Sequence, residues 1–205
     1  MKNLRNLLIL VVAVVIAIPN AFANSDANAT CAENFIKNIT DQAINDVINS
    51  DGSIDEKKNN FEKIFKSALD LKFIARFVLG RNWRTSTKAQ QDEFITTYSE
   101  FNIKLWSNRF DEFTGKKFVF KGTKASKSRN QIFVNTEVPM ENAEPAKVVW
   151  RVKLNKSGEY KIIDIIAEGV SLAMTARNEY ASFIKSNPDG VEALIKDLKE
   201  KTKKL

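Results

Sequence analysis

The feature that most limits what this chain can fold into is a double change of hydrophobic period. Apolar residues recur every three or four positions to about residue 113, every second position from about 117 to 166, and every three or four again to the end. Neither a pure helical bundle nor a β-sandwich accommodates that sequence of periods, so the expected class is α+β, with helices, then a sheet, then helices.

The first helical segment, residues 31–49, places Phe35, Ile36, Ile39, Ala43, Ile44, Val47 and Ile48 on one stripe and is stopped by Asp51-Gly52. A second carries Phe61, Ile64, Phe65, Ala68 and Leu69. A third, about Asp70–Leu79, carries Leu71, Phe73, Ile74, Phe77 and Val78 and ends at Gly80. Ser86 or Thr87 then caps a long helix predicted from Lys88 to Phe113. It has two apolar stripes, Phe94-Tyr98-Phe101-Leu105 and Ile103-Trp106-Phe110-Phe113. A helix apolar on two sides needs cover on both, so it is expected between a sheet and other helices, or along a cavity.

Period two predicts strands at Lys117–Lys121, Gln131–Val138, Lys147–Leu154 and Glu159–Ile166, separated by turn signals at Lys121–Asn130, Met140–Pro145 and Asn155–Gly158. Connections this short favour an antiparallel meander. In the third strand Val148, Trp150, Val152 and Leu154 share a face. In the fourth, simple alternation puts Tyr160, Ile162, Asp164 and Ile166 on one face and Ile163 with Ile165 on the other, which predicts an interior strand. Helices at Ser171–Lys185 and 189–204 close the chain. The reading is a single α+β domain over residues 24–205: a curved antiparallel sheet of about four strands packed against N- and C-terminal helices, enclosing an apolar pocket.

Residues 1–23 read as an address label. Lys2 and Arg5 precede twelve apolar residues, Leu7–Ile18, and Ala21-Phe22-Ala23 offers a small-x-small cleavage pattern after Pro19. The run is short of the roughly 20 residues of a membrane-spanning helix, so cleavage after Ala23 and export to a bacterial periplasm are expected. Cys31 lacks the small apolar tripeptide that lipidation needs and reads as a small buried residue. Loss of Lys2 and Arg5 leaves thirty basic and twenty-five acidic residues, a net charge of +5.

The inventory removes most chemistry. With no histidine there is no imidazole acid–base pair, no nucleophile–histidine couple and no histidine metal ligand; a single cysteine excludes an intrachain disulfide. No metal or cofactor is expected. Basic clusters at Lys116-Lys117, Lys121–Arg129 and Lys196–Lys204 read first as solvated faces, and otherwise as attraction to anionic headgroups or an acidic partner. Export argues against nucleic acid despite the basic pI near 9.4. Asp164 and Glu168, near the end of the last strand, are the best acid–base candidates, although such a carboxylate more often accepts backbone amides or pairs with an arginine such as Arg151 or Arg177.

The run from Gly158 through Asp164 and Glu168-Gly169-Val170-Ser171 to Leu172 resembles the signature of the MlaC family, periplasmic phospholipid-binding proteins also called toluene-tolerance auxiliary components. Phe77-Val78-Leu79-Gly80-Arg81-Asn82-Trp83-Arg84, followed by Ser86, Gln90-Gln91 and Phe94, is similar to that family's V-L-G-x-x-[WY] junction, and Asp189–Leu194 to its D-G-L tail. Tyr160 stands where many members carry Trp, and Met140–Pro145 is a short connection. The resemblance implies a monomeric carrier that is not an enzyme. It would pass phospholipid between an outer-membrane lipoprotein–porin complex and an inner-membrane ABC transporter complex with its lipid-binding domain. Alternation and motif position then nominate as pocket lining Phe73, Phe77, Leu79, Trp83, Tyr98, Phe101, Leu105, Phe133, Val149, Val152, Ile163, Ile165, Val170 and Leu172, with Gly169 turning the chain at the mouth. The competing classes are an exported enzyme on a similar cup, using Asp164 or Glu168, and a pocketless envelope adaptor.

Overall fold

In the computed structural model, residues 21–109, 117–126, 130–140 and 143–205 are described, with side chains from residue 28 onward. The expected signal segment (residues 1–20 of it), Phe110 and Phe113 of the second stripe, and Lys116 and 127–129 of the basic clusters lie outside the described residues.

Four helices start where a side chain satisfies a free amide. Helix α1 (Ala21–Ala43) runs into a π-helical turn, Ile44–Ile48. Helix α2 (Ile54–Ala68) begins with a capping box in which Ser53 accepts from the Glu56 amide and Glu56 accepts from the Ser53 amide. Asp70 caps α3 (Leu71–Leu79), and Gly80 ends it at φ +60°, a left-handed conformation that suits glycine. A short α4 (Asn82–Thr85) was not evident in the hydrophobic period. Thr87 and Gln90 form a second capping box for α5 (Lys88–Ser107). Ser171 caps α6 (Leu172–Ser186), and α7 spans Gly190–Lys204.

The sheet has five strands in sequential order, all antiparallel: β1 (Val119–Ala125), β2 (Gln131–Met140), β3 (Ala143–Leu154), β4 (Tyr160–Ala167) and β5 (Val170–Ser171). The meander and the α+β class agree with the sequence reading. Two details differ. Strand β1 continues through the lysine-rich stretch predicted as loop, because pairing with β2 down to Ala125↔Ile132 outweighs the weak strand preference of Lys and Gly there. A fifth strand of only two residues, too short to show a period, closes against Ile166 and Ala167.

The faces of β4 also differ from simple alternation. Arg151 pairs with Asp164 but the next residue, Val152, pairs with Ile162, so Ile163 is the extra residue of a β-bulge. The bulge resets the alternation: Ile162 and Ile165 now share one face, and Asp164 and Ile166 the other. The prediction that Ile163 and Ile165 share a face is corrected accordingly.

Two cores result. One lies between the first face of the sheet and α1, where Ala32, Ile36, Ala68, Ile132, Val134, Val152 and Ile162 are buried, joined by Phe35, Ile39, Trp150, Tyr160 and Ile165. The other is helical: Ile74, Ala75, Val78 and Leu79 of α3, Phe94 and Tyr98 of α5, Ala173 of α6, and Leu194, Ile195 and Leu198 of α7. The two-sided helix α5 is covered by α7, α3 and α2, so helices rather than the sheet account for its double stripe.

Candidate functional site

The chain passes from one side of the sheet to the other at the free edge of β4. Leu69, the residue between α2 and α3, forms an isolated parallel bridge to Ile162, and the Asp70 amide donates to the Ile162 carbonyl at 3.0 Å. Helix α3 then leads the helical core to the second face. There α3 and α6 meet the sheet along β4. The β2–β3 part of that face carries Phe133 and Val149, paired across strands with Arg151 and Asn135, while Val149 also pairs with Ile166 on β4. Phe133, Val149 and Ile166 are only half-buried, whereas Val134 and Val152, which point to α1, are fully buried. The second face is therefore a cleft of mixed character, with Phe133, Val149 and Ile166 set among Gln131, Asn135, Arg151, Lys153 and Asp164, and with α3 and α6 against its β4 margin.

A polar seam ties these walls together. Arg151 Nη1 lies 3.6 Å from Asp164 Oδ2, and Arg151 Nε donates to Gln131 Oε1 at 3.0 Å. The hydroxyl of Ser171 donates to Asp164 Oδ2 at 2.7 Å and the Ala173 amide to Oδ1 at 3.1 Å, so Asp164 holds the first turn of α6. Its side chain is 1% exposed, and these donors compensate the charge where water does not. Nearby, Tyr98 stacks on Phe94 at 5.8 Å and meets Tyr180 edge-on at 6.3 Å. Burial pushes the Tyr98 phenol well above its ordinary pKa, and the negative charge of Asp164 adds to the rise.

Glu168 and Gly169, at φ 48° and φ 80°, form the two-residue turn between β4 and β5. Positive φ at both central positions is the type I′ pattern, which matches the twist of paired strands. Glu168 donates its amide to the Lys147 carbonyl at 2.9 Å, and its carboxylate accepts the Lys147 amide. Asp164 and Glu168, nominated as acid–base groups, are thus held by cap, ion-pair and backbone contacts.

Cations cover the aromatic rings of α3 at the edge of the cleft. Lys153 Nζ lies 5.3 Å from the Phe73 ring centre, and the Arg177 guanidinium 5.0 Å from that of Phe77. Gly80 makes room for the latter, since a Cβ there would sit 3.1 Å from Arg177 Nε. A cavity of about 250 Å³ opens beside Lys153, lined by Asp70, Leu154, Asn155, Lys156, Lys161 and Ile163. A second, of about 410 Å³, lies between α1 and β1 against Lys37, Thr40, Asp41, Ile44, Lys117, Phe118 and Phe120. Among the described residues no group of three or more cysteines and carboxylates could hold a metal, and no helix is long and apolar enough to cross a membrane.

The model of the family described as "MlaC protein" matches residues 37–200. The chain belongs to the MlaC family. It is 22% identical over 167 residues to the intermembrane phospholipid transport system binding protein MlaC of Haemophilus influenzae, an alignment covering 78% of this chain and 77% of that protein. Its fold superposes with a TM-score of 0.73 on the phospholipid-binding protein of Ralstonia solanacearum, whose structure holds a phospholipid; the match covers 84% of this chain and 97% of that one, at 21% identity.

Within this MlaC-family fold the nominated lining residues divide. Phe133 and Val149 stand on the half-covered face, and Ile163 walls the cavity beside Lys153. Phe73, Phe77, Leu79, Trp83, Tyr98 and Phe101 belong to the helical core, with Leu79 and Tyr98 buried in it and the others at its margin. Leu105 and Leu172 are half-buried on α5 and α6. Val152 and Ile165 lie on the opposite side of the sheet, in the core against α1. Val170 is 56% exposed beside the turn. The structure adds Ile166 and Lys153 to the cleft. Ile166 was hidden by the bulge, and Lys153 by reading lysine only as a solvated charge.

Proposed function

We propose that this chain is a periplasmic phospholipid carrier, exported by residues 1–23 with cleavage after Ala23. It takes lipid from an outer-membrane lipoprotein–porin complex and gives it to an inner-membrane ABC transporter complex, or runs the exchange in reverse. The acyl chains lie on the half-covered face, against Phe133, Val149 and Ile166, with the aromatic margin of α3 as the facing wall. A carrier is needed because exposing one tail of about fifteen methylenes costs on the order of 12 kcal/mol, at roughly 0.8 kcal/mol per methylene.

The observation that carries this reading is that Phe133, Val149 and Ile166 stay half-covered on one face of the sheet in a chain of the MlaC family, while Val134, Val152 and Ile162 on the other face are fully buried. The related proteins named above, one a phospholipid transport binding protein and one holding a phospholipid, support it. Binding rather than catalysis is supported by Asp164 and Glu168, whose carboxylates are engaged in holding α6 and the β3 backbone. The test is lipid extraction and native mass spectrometry of the protein purified from a periplasmic fraction. About one bound phospholipid per chain is expected. A lipid-free protein that takes up no lipid from vesicles of phosphatidylethanolamine and phosphatidylglycerol contradicts the proposal.

A further inference from the structure

The cavity of about 250 Å³ at the end of the cleft has a composition that a tail site does not need. Three of its lining residues are lysines, Lys153, Lys156 and Lys161, against one carboxylate, Asp70. Asp70 is committed to the helix start, accepting the Phe73 amide at 3.0 Å. Lys161 is engaged with the Ser67 carbonyl at 2.6 Å and with Glu159 at 3.6 Å. Among the described residues, Lys153 and Lys156 meet no carboxylate within ion-pair distance. Lys153 rests instead on the face of Phe73, a weak partner compared with an anion.

The cavity is also built rather than accidental. Asn155 fixes the β3–β4 turn by accepting the Ser157 and Glu159 amides, both at 2.9 Å, and by donating its own amide to the Glu159 carbonyl at 2.8 Å. Lys156 is thereby held at the rim. The inner wall is apolar, Ile163 and Leu154, next to Phe73 under the lysine stem. Its volume falls below the roughly 300–1,000 Å³ of pockets that enclose whole ligands, which suits a headgroup better than a complete lipid.

We infer that this cavity is the anion subsite of the carrier, binding the phosphate of a phospholipid headgroup between the Lys153 and Lys156 ammonium groups. The inference rests on the carrier reading above. On binding, the Lys153 ammonium leaves the Phe73 ring for the phosphate, and the ring it uncovers receives the first methylenes of the tails. Lys161, anchored on Ser67, holds the far side of the cavity positive. A free phosphate shares the headgroup chemistry but lacks the tails that reach Ile163 and Phe73.

Calorimetric titration of the lipid-stripped protein tests this with three probes: dodecyl phosphate, dodecyl maltoside with the same tail on an uncharged head, and inorganic phosphate. Lys153→Glu and Lys156→Glu should each weaken dodecyl phosphate about tenfold and leave dodecyl maltoside within about twofold. Lys153→Met, which keeps an apolar cover over Phe73, should show the same selective loss, and Lys196→Glu on α7 should show none. Equal effects on both detergents, or no effect on either, overturns the inference while the carrier reading stands. Inorganic phosphate binding as tightly as dodecyl phosphate also overturns it, in favour of a free-anion site. Failure of both detergents and of phosphatidylglycerol vesicles to bind the unmodified protein removes the carrier reading itself.

Discussion

One sheet presents two faces of unlike composition: towards α1 the strands turn Ile132, Val134, Val138, Trp150 and Val152, while the other face mixes Phe133, Val149 and Ile166 with Gln131, Asn135, Arg151, Lys153 and Asp164. Towards α1, Ile132, Val134, Val152 and Ile162 are packed under a helix laid across the strands. Towards the helical core, Phe133, Val149 and Ile166 are packed only at the β4 margin, where Asp164 and Leu69 tether helices to the sheet. Burial of the first set stabilises the fold. The second set stays half-covered among polar neighbours and is the part of the sheet proposed to meet a ligand. The comparison teaches that apolar residues left outside the cover of a helix, more than apolar residues as such, are the candidates for a lining.

The comparison is sharpest within β4 itself. Ile162→Ala, on the sealed face, should lower the unfolding free energy by about 2–5 kcal/mol, as for other buried isoleucines. Ile166→Ala, four residues on but on the open face, should cost less than half of that. Urea denaturation of both variants gives the answer, and equal losses would break the contrast between the faces.

The tether comes next. Asp164→Ala leaves Ser171 as the cap of α6 but removes the carboxylate that accepts the Ala173 amide and the Ser171 hydroxyl, and leaves Arg151 without its ion-pair partner. A loss of about 2–4 kcal/mol is expected, below that for a fully buried pair because the Arg151 side chain is 21% exposed. Because the tether joins the helical wall to the sheet, amide exchange in the first turn of α6 should rise in this variant. The α1-facing core residue Val134 should stay protected.

A smaller effect concerns pH. Burial raises the phenol pKa of Tyr98, with Asp164 adding to it, and burial likewise raises that of Tyr180, which neighbours Tyr98. In the unfolded chain both titrate near 10. A folded pKa above the unfolded one means that the folded state retains protons longer. Their contribution to stability is full below pH 10 and is lost as pH rises beyond it. Thermal melts between pH 9 and 11.5 should fall more steeply for the unmodified protein than for Tyr98→Phe combined with Tyr180→Phe; parallel falls would place the phenols in a wetter setting.

Much of this was legible in the sequence, because period and capping are local properties. Ser86 or Thr87, Gly80 and Ser171 announced helix ends, and the structure keeps Thr87, Gly80 and Ser171 in those places. The order of helices, meander and helices followed from the period changes, and the family from its quoted motifs. What stayed hidden was non-local. The stretch Ile162-Ile163-Asp164-Ile165-Ile166 carries no mark of a bulge, since isoleucine suits either face. Without it, alternation put Ile163 and Ile165 together; nominating both Val149 and Val152 as lining ran against alternation itself, which sets them on opposite faces. The double stripe of α5 was read as lying between a sheet and other helices, or along a cavity, because periodicity reports that two sides are covered, not by what. Lys153 illustrates a further limit, since a lysine ammonium meets the face of a ring only once the fold brings the two together.

Photocrosslinking tests the central claim most directly. A benzophenone side chain placed at Phe133, on the open face, and separately at Phe35, in the sealed core, is irradiated in protein loaded with phosphatidylglycerol. Mass spectrometry should find the lipid adduct on the Phe133 variant and none on the Phe35 variant. An adduct at Phe35 with none at Phe133 would contradict the assignment of the acyl chains to the half-covered face.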